Sequence, residues 1–154
     1  MEIADLLSPS SILINLQVAS KRQMLELLAQ HAAKETGLPE RAIFEVLLDR
    51  ERLGTTGVGR GIAIPHGKLA ALERIYGLLA TLAAPIAYDA VDEQPVDLVF
   101  LLLAPESAGA EHLKALARVS RLLRDRNVCD RLRAAQTPAA ALAVLTDVTT
   151  SDAA

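Results

Sequence analysis

Residues 50–68 read RERLGTTGVGRGIAIPHGK, and the chemistry-bearing residue types gather there. Five of the eight glycines (Gly54, Gly57, Gly59, Gly61 and Gly67) lie in this stretch, and His66 stands between Pro65 and Gly67. Glycines let successive backbone N–H groups turn toward one point and form an anion nest. Pro65 restricts the chain before the imidazole, and Gly67 leaves room after it. An imidazole with an ordinary pKa near ~6.5 is largely neutral and nucleophilic at pH 7. A ring of that kind among hydroxyls, guanidinium groups and bare amides suits phosphoryl transfer, where the protein mostly positions groups and neutralises charge. The plainer alternatives are a turn histidine and a long glycine turn. The glycine density and the Pro-His-Gly setting favour the chemical reading.

Two nucleotide motifs fail on spacing. A Walker loop needs four residues between its glycines and Ser or Thr after its Lys. Gly61 and Gly67 enclose five, and Lys68 precedes Leu69. The dinucleotide fingerprint needs G-x-G-x-x-G after a strand, whereas Gly57–Gly61 is G-x-G-x-G before one.

The elements that must hold this segment are legible as periodic apolar runs. Ile12, Leu13, Ile14 and Leu16 read as a strand. Ser20 and Gln23 form a capping box for a helix striped with Met24, Leu25, Leu28 and Ala32 and stopped by Gly37. Pro39 suits the first turn of a second helix, with Ile43, Phe44, Leu47 and Leu48 on one face. Ile62–Ile64 is a short strand and Tyr76–Leu82 a buried one, while Ala84–Ala90 reads as an exposed excursion. Val96–Ala104 is nearly all apolar, as in a central strand covered on both faces. Amphipathic helices are expected over 111–126, around Asp130–Ala135, and from Thr137-Pro138 onward. The expectation is an α/β or α+β fold: one mixed sheet of four to five strands flanked by helices on both faces.

Composition removes several function classes. A chain of 154 residues is one domain's length. We expect the domain over 1–147 and a flexible tail over 148–154. Aromatics are 3% with no Trp, which argues against stacking platforms for nucleic acid. A net charge of −3 argues against nucleic-acid binding by bulk charge. Cys129 is the only cysteine, so no intramolecular disulfide forms and a Cys-based zinc site is disfavoured. The acidic start MEIADLLSPS lacks a signal peptide's basic and apolar regions, and no apolar run reaches the ~18 residues of a membrane span. A cytoplasmic protein without membrane insertion is expected.

The segment GIAIPHGK, 61–68, preceded by Gly54-Thr-Thr-Gly-Val-Gly, resembles the active-site signature of IIA proteins of the bacterial phosphotransferase system. The resemblance is to the mannitol/fructose/nitrogen class and runs over about 3–147. It includes APIAYDAVDEQPVDLVF (84–100), Glu111-His112-Leu-Lys and CDRLRAAQ from Cys129. The PHGK form, and the lack of a fused permease or IIB segment, favour the nitrogen-regulatory branch.

The resemblance implies that His66 accepts a phosphoryl group, on the ring nitrogen farther from the backbone, from a histidine phosphocarrier of the HPr or NPr type. Arg50, sixteen residues earlier, matches the Arg that lines the family's site, with Arg52 as its rival. His112 matches a second His that meets the first without being phosphorylated. Thr55, Thr56, Gly57, Gly59 and Gly67 are candidates for holding phosphoryl oxygens, Thr56 matching the family's Ser/Thr position better than Thr55. Lys68 either steers the donor or is solvated, and His31 has no assigned role. No cofactor and no metal are implied. Ile62, Ile64, Leu69 and Ala84–Ala90 are candidates for an apolar docking face. The nitrogen branch implies regulatory target proteins, such as a potassium transporter or a sensor kinase, that read the phosphorylation state. The alternatives are a sugar-specific IIA serving a IIB component, an unphosphorylated binding module of the same fold, and a metal hydrolase built on His66 and His112.

Overall fold

The computed structural model describes residues 2–153, with side chains through Asp147. After two short 3-10 turns, Ile3–Leu6 and Pro9–Ser11, the chain runs β1 (Ile12–Leu16), α1 (Lys21–Thr36), α2 (Glu40–Leu53), β2 (Gly57–Gly59), β3 (Ile62–Ala63), β4 (His66–Leu69), β5 (Tyr76–Ile86), β6 (Val96–Pro105), α3 (Gly109–Arg124), α4 (Arg126–Ala134) and α5 (Pro138–Ala153). The expected tail over 148–154 lies outside the residues whose side chains are described.

The helix ends follow their sequence signals. Ser20 Oγ accepts from the Gln23 amide, and the Gln23 side chain accepts from the Ala19 amide. Gly37 closes α1 at φ 78°, where a Cβ would be strained. Thr137 Oγ1 accepts from the Ala140 amide at the start of α5. Pro39 stands at the cap of α2, one residue before its first turn.

The sheet holds six strands in the order β1-β5-β6-β3-β2, with β4 also paired to β6. That exceeds the four to five expected. β2 and β4 were hidden in glycine-rich sequence with no strand propensity of its own. β5 and β6 are antiparallel, β1 is parallel to β5, and β3 and β4 are both parallel to β6. β3 and β4 lie end to end along one edge of β6: Ile62 and Ala63 face Leu98 and Val99, and His66 faces Leu102. Between them Pro65 interrupts the strand.

Both faces of β6 are buried, as its apolar run requires. Val99, Leu101 and Leu103 pack with Met24, Leu28, Ile43 and Leu47 of α1 and α2. Leu98, Phe100 and Leu102 pack with Val119, Leu123 and Leu132 of α3 and α4. One expectation fails in part here. The 84–90 stretch is an exposed excursion only in part: Ala84, Pro85, Ala87 and Asp89 are exposed, but β5 continues to Ile86, and Ile86, Tyr88 and Ala90 are buried. Tyr88 and Ala90 lie beyond the end of β5, where the chain turns through Asp89 at φ 57°.

Candidate active site

His66 opens β4 at the break in the edge strand, and the break sets its ring. His66 Nδ1 lies 2.8 Å from the carbonyl oxygen of Ile64. A carbonyl can only accept, so Nδ1 carries the proton. The Nε2 atom of the neutral ring then holds a free lone pair. Arg50 Nε approaches that atom at 3.2 Å. A guanidinium can only donate, so the same tautomer satisfies both contacts.

Arg50 sits in the last turn of α2, and a glycine permits its approach. A Cβ on Gly67 would lie 2.2 Å from Val46 Cγ1. The helix therefore packs against β4 at a distance that only glycine allows. Val46 and Arg50 are four residues apart on one helix face, so this close contact carries Arg50 to His66. Arg50 Nη1 also donates to the Gly54 carbonyl at 2.8 Å. Arg52 instead pairs with Asp49 at 2.8 Å and is exposed.

His112, in the first turns of α3, is 5% exposed. Its ring centroid lies 5.8 Å from that of His66, tilted by 50°. His112 Nδ1 is buried with no hydrogen-bond partner. Two imidazoles and one guanidinium thus meet at one point, from β4, α3 and α2. His31 stands apart from them, beside Ser10 and Glu35.

The loop residues expected to hold an anion are engaged elsewhere. Thr56 Oγ1 is shared between the Glu51 carboxylate and the Tyr88 hydroxyl. Thr55 Oγ1 donates to the Tyr88 carbonyl and accepts from the Gly57 amide. A Cβ on Gly57 would strike Ala90 at 2.8 Å, so that glycine serves close packing. A Cβ on Gly59 would lie 3.2 Å from the Asp92 carboxylate, whose charge opposes an anion there. Gly67 adjoins His66 and makes room for Val46.

Sequence reasoning missed Glu51, Tyr88 and Lys21. The Glu51 carboxylate is buried and accepts from Lys21 Nζ at 2.7 Å, the Thr56 amide at 3.1 Å and the Tyr88 hydroxyl at 3.1 Å. The signal was present: Glu51 falls four residues after Leu47, on the stripe that α2 buries.

Burial is the main cause that lowers the His66 pKa below its ordinary 6.5, and the Arg50 charge adds to it. The Ile64 carbonyl and Glu51 pull the other way. His112 is lowered too, first by burial, then by the neighbouring His66 and Lys68. Both shifts favour the neutral ring.

The expected docking residues need correction. Ile62, Ile64 and Leu69 are buried in the two cores, as are Ile86, Tyr88 and Ala90, while Ala84, Pro85, Ala87 and Asp89 are exposed. Among the described residues the exposed large apolar side chains are Leu53, Val58, Val91 and Leu113. Leu53 follows Arg50 by three residues and Leu113 adjoins His112. Val58 and Val91 sit on segments joined by the bond from the Val91 amide to the Gly57 carbonyl.

The family model described as "Phosphoenolpyruvate-dependent sugar phosphotransferase system, EIIA 2" matches residues 5–148. The chain belongs to this EIIA family. It is 60% identical over 145 residues to a nitrogen regulatory protein of Bradyrhizobium diazoefficiens, covering 94% of this chain and 95% of that one. It is 41% identical over 148 residues to the nitrogen regulatory protein of Escherichia coli, covering 96% and 91%. The crystal structure of the nitrogen regulatory protein IIA-Ntr from Neisseria meningitidis superposes with a TM-score of 0.88 at 34% identity, over 93% of this chain and 98% of that one. The relatives put this EIIA chain in the nitrogen-regulatory branch, and the fold is the IIA fold. Among the described residues no helix is long and apolar enough to cross a membrane. Among them, too, no group of three or more His, Cys, Asp or Glu is gathered as a metal site.

Proposed function

We propose that this EIIA chain is a phosphocarrier that accepts a phosphoryl group on His66 Nε2 from a histidine phosphocarrier of the HPr or NPr type. One observation carries the reading: the Ile64 carbonyl holds the Nδ1 proton, which leaves the Nε2 lone pair facing Arg50.

In the transfer step, the Nε2 lone pair forms the new N–P bond as the donor's P–N bond breaks. The electron pair of that bond stays on the donor ring, whose other nitrogen keeps its proton, so the donor leaves as a neutral imidazole. His66 keeps its Nδ1 proton and becomes a phosphoimidazolium, which the Ile64 carbonyl stabilises through a charge-assisted hydrogen bond. Arg50 releases Nε2 and takes a phosphoryl oxygen. A unit charge pair at 4 Å is worth about 4 kcal/mol at an effective dielectric near 20. The His112 ring, its centroid 5.8 Å from that of His66, supplies a second polar group beside the phosphoryl site.

Arg50, His66 and His112 are thus the catalytic set, and Gly67 acts through the close approach of α2. Leu53, Val58, Val91 and Leu113 supply a small apolar docking rim, suited to a partner that must leave again. The output is regulatory. Adding a group of about −1.5 to −2 charges at one pocket changes what docks there, such as a potassium transporter or a sensor kinase in the cytoplasm.

The test is the intact mass of the protein after incubation with phosphoenolpyruvate, enzyme I and a histidine phosphocarrier. Wild type gains one acid-labile phosphoryl group and His66→Ala gains none. Equal gain in the mutant would refute the assignment.

A further inference from the structure

We propose that Glu51 is a positioning residue for phosphoryl transfer: its buried carboxylate clamps the 54–56 loop, and that loop holds the Arg50 guanidinium against His66. The proposal rests on the phosphocarrier reading of His66.

The contacts form a closed chain. Glu51 Oε2 takes Lys21 Nζ at 2.7 Å and the Thr56 amide at 3.1 Å. Glu51 Oε1 takes the Thr56 hydroxyl and the Tyr88 hydroxyl. Four donors thus meet one carboxylate, and they come from α1, from the loop after α2, and from the segment after β5. The loop so fixed contains Gly54, whose carbonyl accepts from Arg50 Nη1 at 2.8 Å. With Nη1 anchored on the loop, Arg50 Nε is the donor aimed at His66 Nε2. Glu51 reaches the His66 ring only through its charge, and its hydrogen bonds go to Lys21, Thr56 and Tyr88, so its hold on the geometry runs through the loop and Arg50.

The Lys21 contact explains how a carboxylate can serve beside an anion site. A lone buried Glu next to an incoming phosphoryl group would repel it. Lys21 Nζ closes on that carboxylate and also lies 4.2 Å from the centre of the Tyr88 ring. The charge of Glu51 is therefore matched locally, and Arg50 keeps its own charge for the phosphoryl group. A residue that holds a charged group in place can matter strongly, because a misplacement of about 1 Å can cost 100-fold in rate.

The experiment is a double-mutant cycle with Glu51→Gln and Arg50→Ala, read by single-turnover transfer from the phosphorylated histidine carrier. Gln keeps the shape but replaces one acceptor oxygen with a donor. We expect Glu51→Gln to slow transfer about tenfold with carrier affinity unchanged, and to add nothing in the Arg50→Ala background. In parallel, the Arg50 Nε–H resonance should be sharp and exchange-protected in wild type and lost in Glu51→Gln. Should Glu51→Gln fail to fold, Tyr88→Phe removes one donor to the same carboxylate and takes its place in the cycle. Equal slowing in both Arg50 backgrounds, or an Arg50 Nε–H signal unchanged by the substitution, would overturn the proposal. If wild type takes no phosphoryl group, the functional reading fails, and the Nε–H spectrum alone still decides the positioning.

Discussion

His66 Nδ1 lies 2.8 Å from the carbonyl of Ile64, two residues earlier in its own chain. Because Pro65 lies between them, the backbone carbonyl that would extend β3 is turned back onto the ring. The chain thus selects its own tautomer without help from another element. The 3.2 Å approach of Arg50 to Nε2, set by the packing of α2 on Gly67, suits that tautomer.

The first prediction concerns the two arginines. Arg50→Ala should slow phosphoryl transfer roughly tenfold to hundredfold, the equivalent of a charge-assisted bond of about 1.5–3 kcal/mol. The acceptor nitrogen remains, so the final extent of labelling should be unchanged. Arg52→Ala, which breaks only the exposed pair with Asp49, should leave the rate within about twofold of wild type. Rapid-quench kinetics with a phosphorylated carrier would separate these cases.

Transfer should also depend on pH in a defined direction. The acceptor must be neutral, and burial lowers the His66 pKa below 6.5. The rate should climb with pH to a midpoint below 6.5 and be flat by neutral pH. Stability has the same sign. A ring whose pKa is depressed on folding binds fewer protons folded than unfolded. The contribution of His66 and His112 is therefore complete above 6.5 and is lost as pH falls through their folded values. Urea denaturation across this range, with His66→Ala as the reference, would measure the effect.

Gly67→Ala should destabilise the fold by about 1–3 kcal/mol, because its Cβ overlaps Val46 Cγ1. The helix can yield only by moving away from β4, which takes Arg50 with it, so transfer should slow as well. Adding Val46→Ala to that variant should recover stability. Equilibrium unfolding of the single and double variants gives the answer, and no recovery would place the strain elsewhere.

His112→Leu should trade activity for stability. A buried polar atom with no partner costs about 1–3 kcal/mol, and Leu removes it. Thermal unfolding should be unchanged or higher while single-turnover transfer slows. A variant both less stable and fully active would contradict the role given to this ring.

Much of this was legible in the sequence. The strand at Ile12–Leu16, the Ser20 and Gly37 caps and the doubly buried Val96–Ala104 run are local signals, and the structure keeps them. The Pro-His-Gly motif pointed to His66. What escaped was tertiary. β4 is a strand only because β6 offers it an edge. The glycines at 57 and 59 suggested an anion nest, yet their space is taken by Ala90 and Asp92. Ala84–Ala90 reads as exposed in the sequence, yet Ile86, Tyr88 and Ala90 are buried between the exposed Ala87 and Asp89. Of the four donors to Glu51, two come from Thr56 in the next loop, but Lys21 and Tyr88 are brought in from distant parts of the chain.

The most direct test of the account is the nitrogen NMR spectrum of the His66 ring, before and after phosphorylation by the carrier. The free ring should be the neutral tautomer with its proton on Nδ1, and the phosphorylated ring should show phosphorus coupling at Nε2 with that proton retained. A proton on Nε2 in the free protein, or phosphorus on Nδ1 afterward, would contradict it.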